Sequence, residues 1–491
     1  MPDRAARLLI LLVGPRTPHV NGSCSEGNSV FSVYGRVAAT TLVSGLLTAG
    51  AFIAAGPAAA DEAAQTRGGA SAVIGGLKTY GTAVIHDSGG GQGDLQVSAG
   101  LFEMSVDGGG TLQTYCVDLH TATQRDARYH ETPWSGTSLA ANKDAGKIRW
   151  ILQHSYPQVN DLAALADQAG INGGLTEQDA AAGTQVAIWR YSDGADVYAL
   201  DPQAEQLAEY LHKSARSLPE PKASLTLDPP AVSGRPDKPL GPVTVHTDAG
   251  SVTVSPPADA AVSGVRIVGP DGKPVTTAQD GSRLFFDVPE DAAAGSAELT
   301  VQASTTVPVG RAFTSEERSQ TQILAGSSES TVSATAGATW AEQGAIPALS
   351  AARNCAKGSV DITAANTGDQ PFAFTLMGVE HSIPAGASRT VTLPLLEDQA
   401  YDFTITGPGG LQKRFSGVLD CKTQSNAPEV TTQTVSEPSP ATVGGTAPDT
   451  NLAETGGSTT TPLITGTAIG LVVIGGAVLV LLRRKETHSQ D

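Results

Sequence analysis

Thr184-Gln185-Val186-Ala187-Ile188-Trp189 is the stretch on which the reading of this chain turns. Just before it, Thr176-x-x-Asp179 has the form of a capping box, and Ser192-Asp193-Gly194 supplies a stop, so a helix is expected between them. At helical spacing Gln185 shares a face with Ala181, Ala182, Ile188 and Trp189. A carboxamide at the centre of an apolar face must find a partner, because burying it unsatisfied costs roughly 1–3 kcal/mol. Neighbouring backbone is the ordinary partner for such a glutamine.

Outward from that helix, residues 70–218 read as strands first and helices after, the pattern of an α+β module. Tyr80 to His86, Leu95 to Val106 and Thr111 to Leu119 have strand character, with glycine-rich turns at 89–91 and 108–110. From Asn142 the period becomes helical. Ile148, Ile151 and Leu152 form one stripe that Pro157 stops; Asp161 to Gln168 forms a second helix. A last helix starts at Asp201, with Pro202 in its first turn and Leu207, Tyr210 and Leu211 inside.

Pro219 to Pro236 is a proline-rich boundary beyond which the helical period vanishes. Val243 to Val254, Val262 to Val268, Leu284 to Val288 and Ala297 to Ala303 read as short strands of a β-sandwich at 219–345, extended by Arg311 to Leu324. No residue set there is specific enough to name an isopeptide cross-link. Residues 350–422 read as another sandwich, bracketed by Cys355 and Cys421. A disulfide between them suits an oxidising compartment, and closing a loop of about 65 residues would stabilise the module by on the order of 4 kcal/mol. The pairing leaves Cys116 alone, in the extended segment Gly110 to Leu119.

The chain of 491 residues is 40% hydrophobic and 16% charged, with 55 Gly and 30 Pro, which suits several turn-rich domains. Its formal net charge of −18 argues against a nucleic-acid surface, since phosphate binding needs basic patches. At the N-terminus, Arg36, the apolar Val37 to Ala55 and Ala58-Ala59-Ala60 form an export signal within residues 1–60, with cleavage after Ala60. The polar stretch before it suggests a true translation start near Val30 or Val33, so that Cys24 is never made or is discarded with the signal. Residues 423–451, rich in Thr, Ser, Pro, Ala and Gly, read as a flexible linker reaching on the order of 90 Å if extended. Residues 463–482 are apolar and long enough for a membrane span, and Arg483-Arg484-Lys485 would hold the tail inside.

Two resemblances give these parts a purpose. Leu452-Ala453-Glu454-Thr455-Gly456, the apolar stretch and the basic tail together resemble a sortase sorting signal of the LAxTG variety, at residues 452–491. That implies cleavage between Thr455 and Gly456, attachment of Thr455 to cell-wall peptidoglycan, and a membrane helix present only in the precursor. Tyr115-Cys116-Val117 and Thr184-Gln185-Val186-Ala187-Ile188-Trp189 resemble the paired motifs of the thioester (TQXA) domain of Gram-positive surface adhesins. In that family a cysteine and a glutamine join as an internal thioester with loss of ammonia, which here would link Cys116 and Gln185. The resemblance implies a secreted, wall-anchored, single-turnover covalent binder, needing no cofactor, whose partner is an amine-bearing surface ligand. Tyr115, Val117, Thr184, Ala187 and Trp189 are the expected pocket residues.

Three readings therefore stand side by side: a covalent adhesin, a non-covalent adhesin or spacer, and a cysteine-dependent hydrolase or transamidase. The last needs a histidine base. His86, His120, His130 and His154 are available, but in a strand His120 would lie about 13 Å along from Cys116. No zinc or other metal-ligand spacing, P-loop or serine-hydrolase elbow appears.

Overall fold

The computed structural model describes residues 68–86 and 94–423. The expected signal region with Ala60, the linker beyond 423, the sorting motif Leu452 to Gly456 and the apolar stretch 463–482 lie outside the described residues. No helix among the described residues is long and apolar enough to cross a membrane.

The first module is built from β1 (Ser71–Ile85), β2 (Leu95–Val106), β3 (Thr111–Cys116), β4 (Arg128–Thr132), α1 (Ala145–Gln153), α2 (Leu162–Ala169), α3 (Glu177–Ser192), β5 (Val197–Ala199) and α4 (Pro202–Ser214). Local chemistry fixes each helix start. The Thr176 hydroxyl accepts from the Asp179 N–H (3.1 Å) while the Asp179 carboxylate accepts from the Thr176 N–H (3.1 Å), so the capping box of α3 is complete. Asp161 caps α2, and Asp201 caps α4 with Pro202 behind it.

All strands of the first sheet run antiparallel. β1 pairs with β2, β2 with β3, and β4 with β1. A hairpin from far down the chain, Ala312–Ser315 and Gln322–Ser327, fills the gap between β3 and β4: Gln322 lies opposite Cys116 and Ala312 opposite Thr132. Six strands thus pair around into a ring, and β5 adds to the end of β1 that β4 leaves free.

This corrects the expected division of the chain. Residues 312–327, assigned from sequence to the second module, complete the first, and one apolar core runs from Ala70 to Trp340 across the 219–236 boundary. Strand alternation identifies a strand but not its partner, so the return was invisible locally. A buried ion pair ties the boundary down. Arg311 Nε donates to Glu131 Oε1 (2.8 Å), which also accepts from the Ser224 N–H (3.0 Å), while Arg311 Nη1 reaches Glu220 (2.7 Å). β3 ends at Cys116 rather than Leu119, and the strand expected at 243–254 is two, Leu240–Thr247 and Val252–Ser255. Val262 instead lies in the short helix Ala260–Ser263.

The second module holds a four-stranded and a five-stranded sheet, the latter centred on the long pair Gly295–Thr306 and Glu329–Trp340. The third has its own core around Val360, Ile362, Phe372, Phe374 and Phe415. Its Cys355 and Cys421 are disulfide-bonded, with Cα atoms 5.0 Å apart. Between the modules, a cavity of about 520 Å³ is lined by Glu131, Arg311, Glu220 and Arg353 among others. Cys116 is not in its wall.

Candidate functional site

Cys116 is the last residue of β3, and two partners flank it. On one side it faces Gln322 in register, and the Val117 N–H donates to the Thr321 carbonyl (3.2 Å). By the antiparallel pattern, the N–H and C=O of Cys116 itself then point to the other side. β2 would occupy that side, but its pairing with β3 stops at Phe102 opposite Thr114.

The Gln185 carboxamide takes the vacated place. Its Oε1 accepts from the Cys116 N–H (3.0 Å) and its Nε2 donates to the Cys116 carbonyl (2.9 Å). Because one backbone group only donates and the other only accepts, the orientation of the amide is fixed. α3 can be driven this deep because it is small where it crosses its neighbours. A Cβ on Gly183 would meet the Ala204 carbonyl at 2.4 Å, and one on Gly81 would meet the Ala182 methyl at 3.0 Å. Ala180 through Trp189 are all buried, so the helix is enclosed at its centre rather than on one face.

Cys116 and Gln185 are both 0% exposed. Burial pushes the Cys116 thiol up to about 12, with Gln322 and Thr123 pulling the other way through hydrogen bonds. The thiol's side-chain partners include no histidine. His86 pairs with Asp94, His130 with Ser71 and Glu316, and His154 bonds the Trp150 carbonyl. His120 is half-buried, its pKa lowered by burial.

The other expected pocket residues, Tyr115, Val117, Thr184, Ala187 and Trp189, are all fully buried. Tyr115 donates its hydroxyl to the Tyr156 carbonyl (2.9 Å), and Thr184 returns its own to Ala180 in the same helix (2.7 Å). Trp189 Nε1 finds no partner among the described residues.

Sequence reasoning missed a polar layer contributed by the returning hairpin. Gln322 Nε2 lies 3.3 Å from Cys116 Sγ, its Oε1 accepts from Thr114 (3.0 Å), and Thr123 donates to Gln320 Oε1 (2.8 Å). Also missed were two carboxyls beside the site, Asp118 buried and Asp193 half-buried. Asp118 is pushed up to about 8, by burial first and then by the Asp193 charge; burial takes Asp193 to about 7. The nearest thing to a cation site among the described residues is Glu397, Asp398 and Asp420, with one oxygen each within 4.8 Å of the others. Asp398 is paired to Arg318 (2.7 Å), and Glu397 accepts from the Cys421 and Lys422 N–H groups.

Comparison with known proteins agrees with this geometry. Residues 113–217 match the thioester domain family, and residues 345–418 match the bacterial phospholipase C, C-terminal domain. No curated protein matches. Among solved structures, the Bacillus anthracis TIE protein is similar at 15% identity, over 71% of this chain and 63% of that one, with a TM-score of 0.25. The thioester domain of the Enterococcus faecium TIE86 protein is similar at 16% identity, over 56% of this chain and 97% of that one, with a TM-score of 0.26. Those scores are too low to carry an argument, so the comparison rests on the family match, and it is residues 113–217 that are similar to the thioester domain family.

Proposed function

We propose that the chain is a surface adhesin that bonds covalently to an amine on its target through a Cys116–Gln185 thioester. The observation that carries the reading is the carboxamide of Gln185 held on both backbone groups of Cys116 in a site closed to water. In bond formation, Cys116 Sγ attacks Gln185 Cδ, and the Cys116 N–H, already on Oε1, stabilises the developing oxyanion. The C–N bond then breaks, the thiol proton leaves with the nitrogen as ammonia, and an acyl thioester remains. Exclusion of water protects it from hydrolysis until a partner docks. An amine that reaches Cδ forms an amide, the C–S bond breaks, and the amine's proton ends on Sγ. The event happens once per molecule, so the chain is a binder and not a catalyst.

The remaining parts fit a surface role. The export signal ending at Ala60, the linker 423–451 and the sorting motif Leu452 to Gly456 would place the thioester domain outward on a wall-anchored stalk. The sandwich-like second and third modules and the Cys355–Cys421 disulfide suit that position. The Thr455–Gly456 bond is the expected sortase cut.

Labelled methylamine separates the readings. A covalent adhesin takes up one amine at Gln185 and then stops. Continued modification of an added substrate would mean a transamidase, and no uptake would mean a non-covalent adhesin or spacer. Wall digestion should release a chain ending at Thr455 with a wall peptide attached; recovery only in detergent, with residues 463–482 intact, would overturn the anchoring.

A further inference from the structure

We propose that Gln322 stabilises the Cys116 sulfur as it leaves when an amine opens the thioester, and so belongs to the reactive site although it lies 206 residues from Cys116. The inference rests on the thioester reading. It adds a residue outside the stretch that matches the family, which ends at residue 217.

The geometry fixes which end of the Gln322 amide meets the sulfur. Gln320 Nε2 donates to the Asp118 carbonyl, which can only accept. Gln320 Oε1 is thereby turned the other way, where it accepts from Thr123 Oγ1 (2.8 Å) and faces Gln322 Nε2 (3.4 Å). Gln322 must present nitrogen to that oxygen, and the same nitrogen lies 3.3 Å from Cys116 Sγ. At the other end, Gln322 Oε1 accepts from Thr114 Oγ1 (3.0 Å). Every member of the chain is 0% exposed apart from Thr123 (7%) and Asp118 (1%).

A donor aimed at sulfur cannot take the thiol proton, so Gln322 is not a base for forming the bond. It suits sulfur that carries charge. When the tetrahedral intermediate collapses, the C–S electron pair goes to Sγ and the amine's proton follows. In a dry pocket that push of burial against a thiolate is large, and the Gln322 N–H is one of the groups that offset it. The returning hairpin supplies this residue in register with Cys116, so closing the ring of strands and completing the site are one event.

The test compares the full chain with Gln322→Met, which keeps the length without the donor, and Gln322→Glu, which puts an acceptor against the sulfur. Rates of methylamine uptake at Gln185 are read by intact mass, with unfolding midpoints as a check on folding. Both variants should form the thioester yet open roughly ten- to a hundredfold more slowly, the size expected for losing a hydrogen bond to a charged group. Uptake at the wild-type rate by Gln322→Met overturns the proposal while leaving the thioester reading standing. A wild-type chain that never loses ammonia overturns that reading and this one with it. A second measurement needs no thioester. In a Gln185→Ala background, adding Gln322→Met should raise the pH at which Cys116 reacts with a thiol reagent, and an unmoved profile overturns the assigned role.

Discussion

Gln185 meets Cys116 as a neighbouring strand would, its carboxamide making both of the ladder bonds, at 3.0 and 2.9 Å, that β2 stops making one pair earlier. One side chain therefore does two jobs. It satisfies the backbone at the open end of β3, and it brings its carboxamide onto the residue that carries the thiol.

The backbone role has a consequence for stability. Cys116→Ala keeps both hydrogen bonds to Gln185, whereas Gln185→Ala leaves a buried N–H and a buried C=O unpaired, at about 1–3 kcal/mol each. Urea unfolding should show Gln185→Ala less stable than Cys116→Ala by about 2 kcal/mol or more. Equal midpoints and slopes for the two would mean that the carboxamide contributes nothing to holding β3.

The closed ring of strands predicts which fragment is functional. A fragment spanning residues 61–218 contains Cys116 and Gln185 but lacks 312–327, and it opens the ring beside Cys116. It should fail to lose ammonia, whereas a longer fragment spanning residues 61–423 should lose it. Ammonia loss from the short fragment would show that the hairpin is dispensable.

How much of this was legible in the sequence follows the range of each interaction. The capping box at Thr176 and the helix starts at Asp161 and Asp201 rest on contacts within a few residues, and local pattern found them, as alternation found β1 to β3 but not the short β4 and β5. The pairing of Cys116 with Gln185 was legible because two short motifs stand out as a pair, and the structure brings the two residues into contact. Gln322, Gln320 and Thr123 were not, since their partners are set by a strand pairing across about 200 residues that period-2 alternation does not specify. One signal was present: Gln320 and Gln322 stand two apart, hence on one face, at the entry to the apolar run Ile323-Leu324-Ala325. The surroundings of Asp118 and Asp193 are likewise set by the fold and not by local pattern.

Those two acids give the chain a pH signature. Ordinary unfolded Asp titrates near pH 3.9 (about 4), while folded Asp118 holds its proton to about 8 and Asp193 to about 7. The folded chain thus keeps protons that the unfolded chain has lost. Their contribution is whole below about pH 4 and is lost as pH rises through about 7 to 8. Asp118→Asn should therefore gain stability relative to wild type as pH is raised across that window, read as a widening difference in urea midpoint. A difference constant from pH 4 to pH 8 would mean that Asp118 is not protonated in the folded chain.

The Cys116–Gln185 bond is tested most directly by the intact mass of the freshly purified chain, with Cys116→Ala measured beside it. The wild type should be lighter than its processed sequence by one ammonia, with Cys116 silent to thiol reagents under denaturing conditions until an amine opens the link, and Cys116→Ala should have its full mass. A wild-type chain at full mass, with a thiol that reacts as soon as the protein is unfolded, would show that no such bond forms.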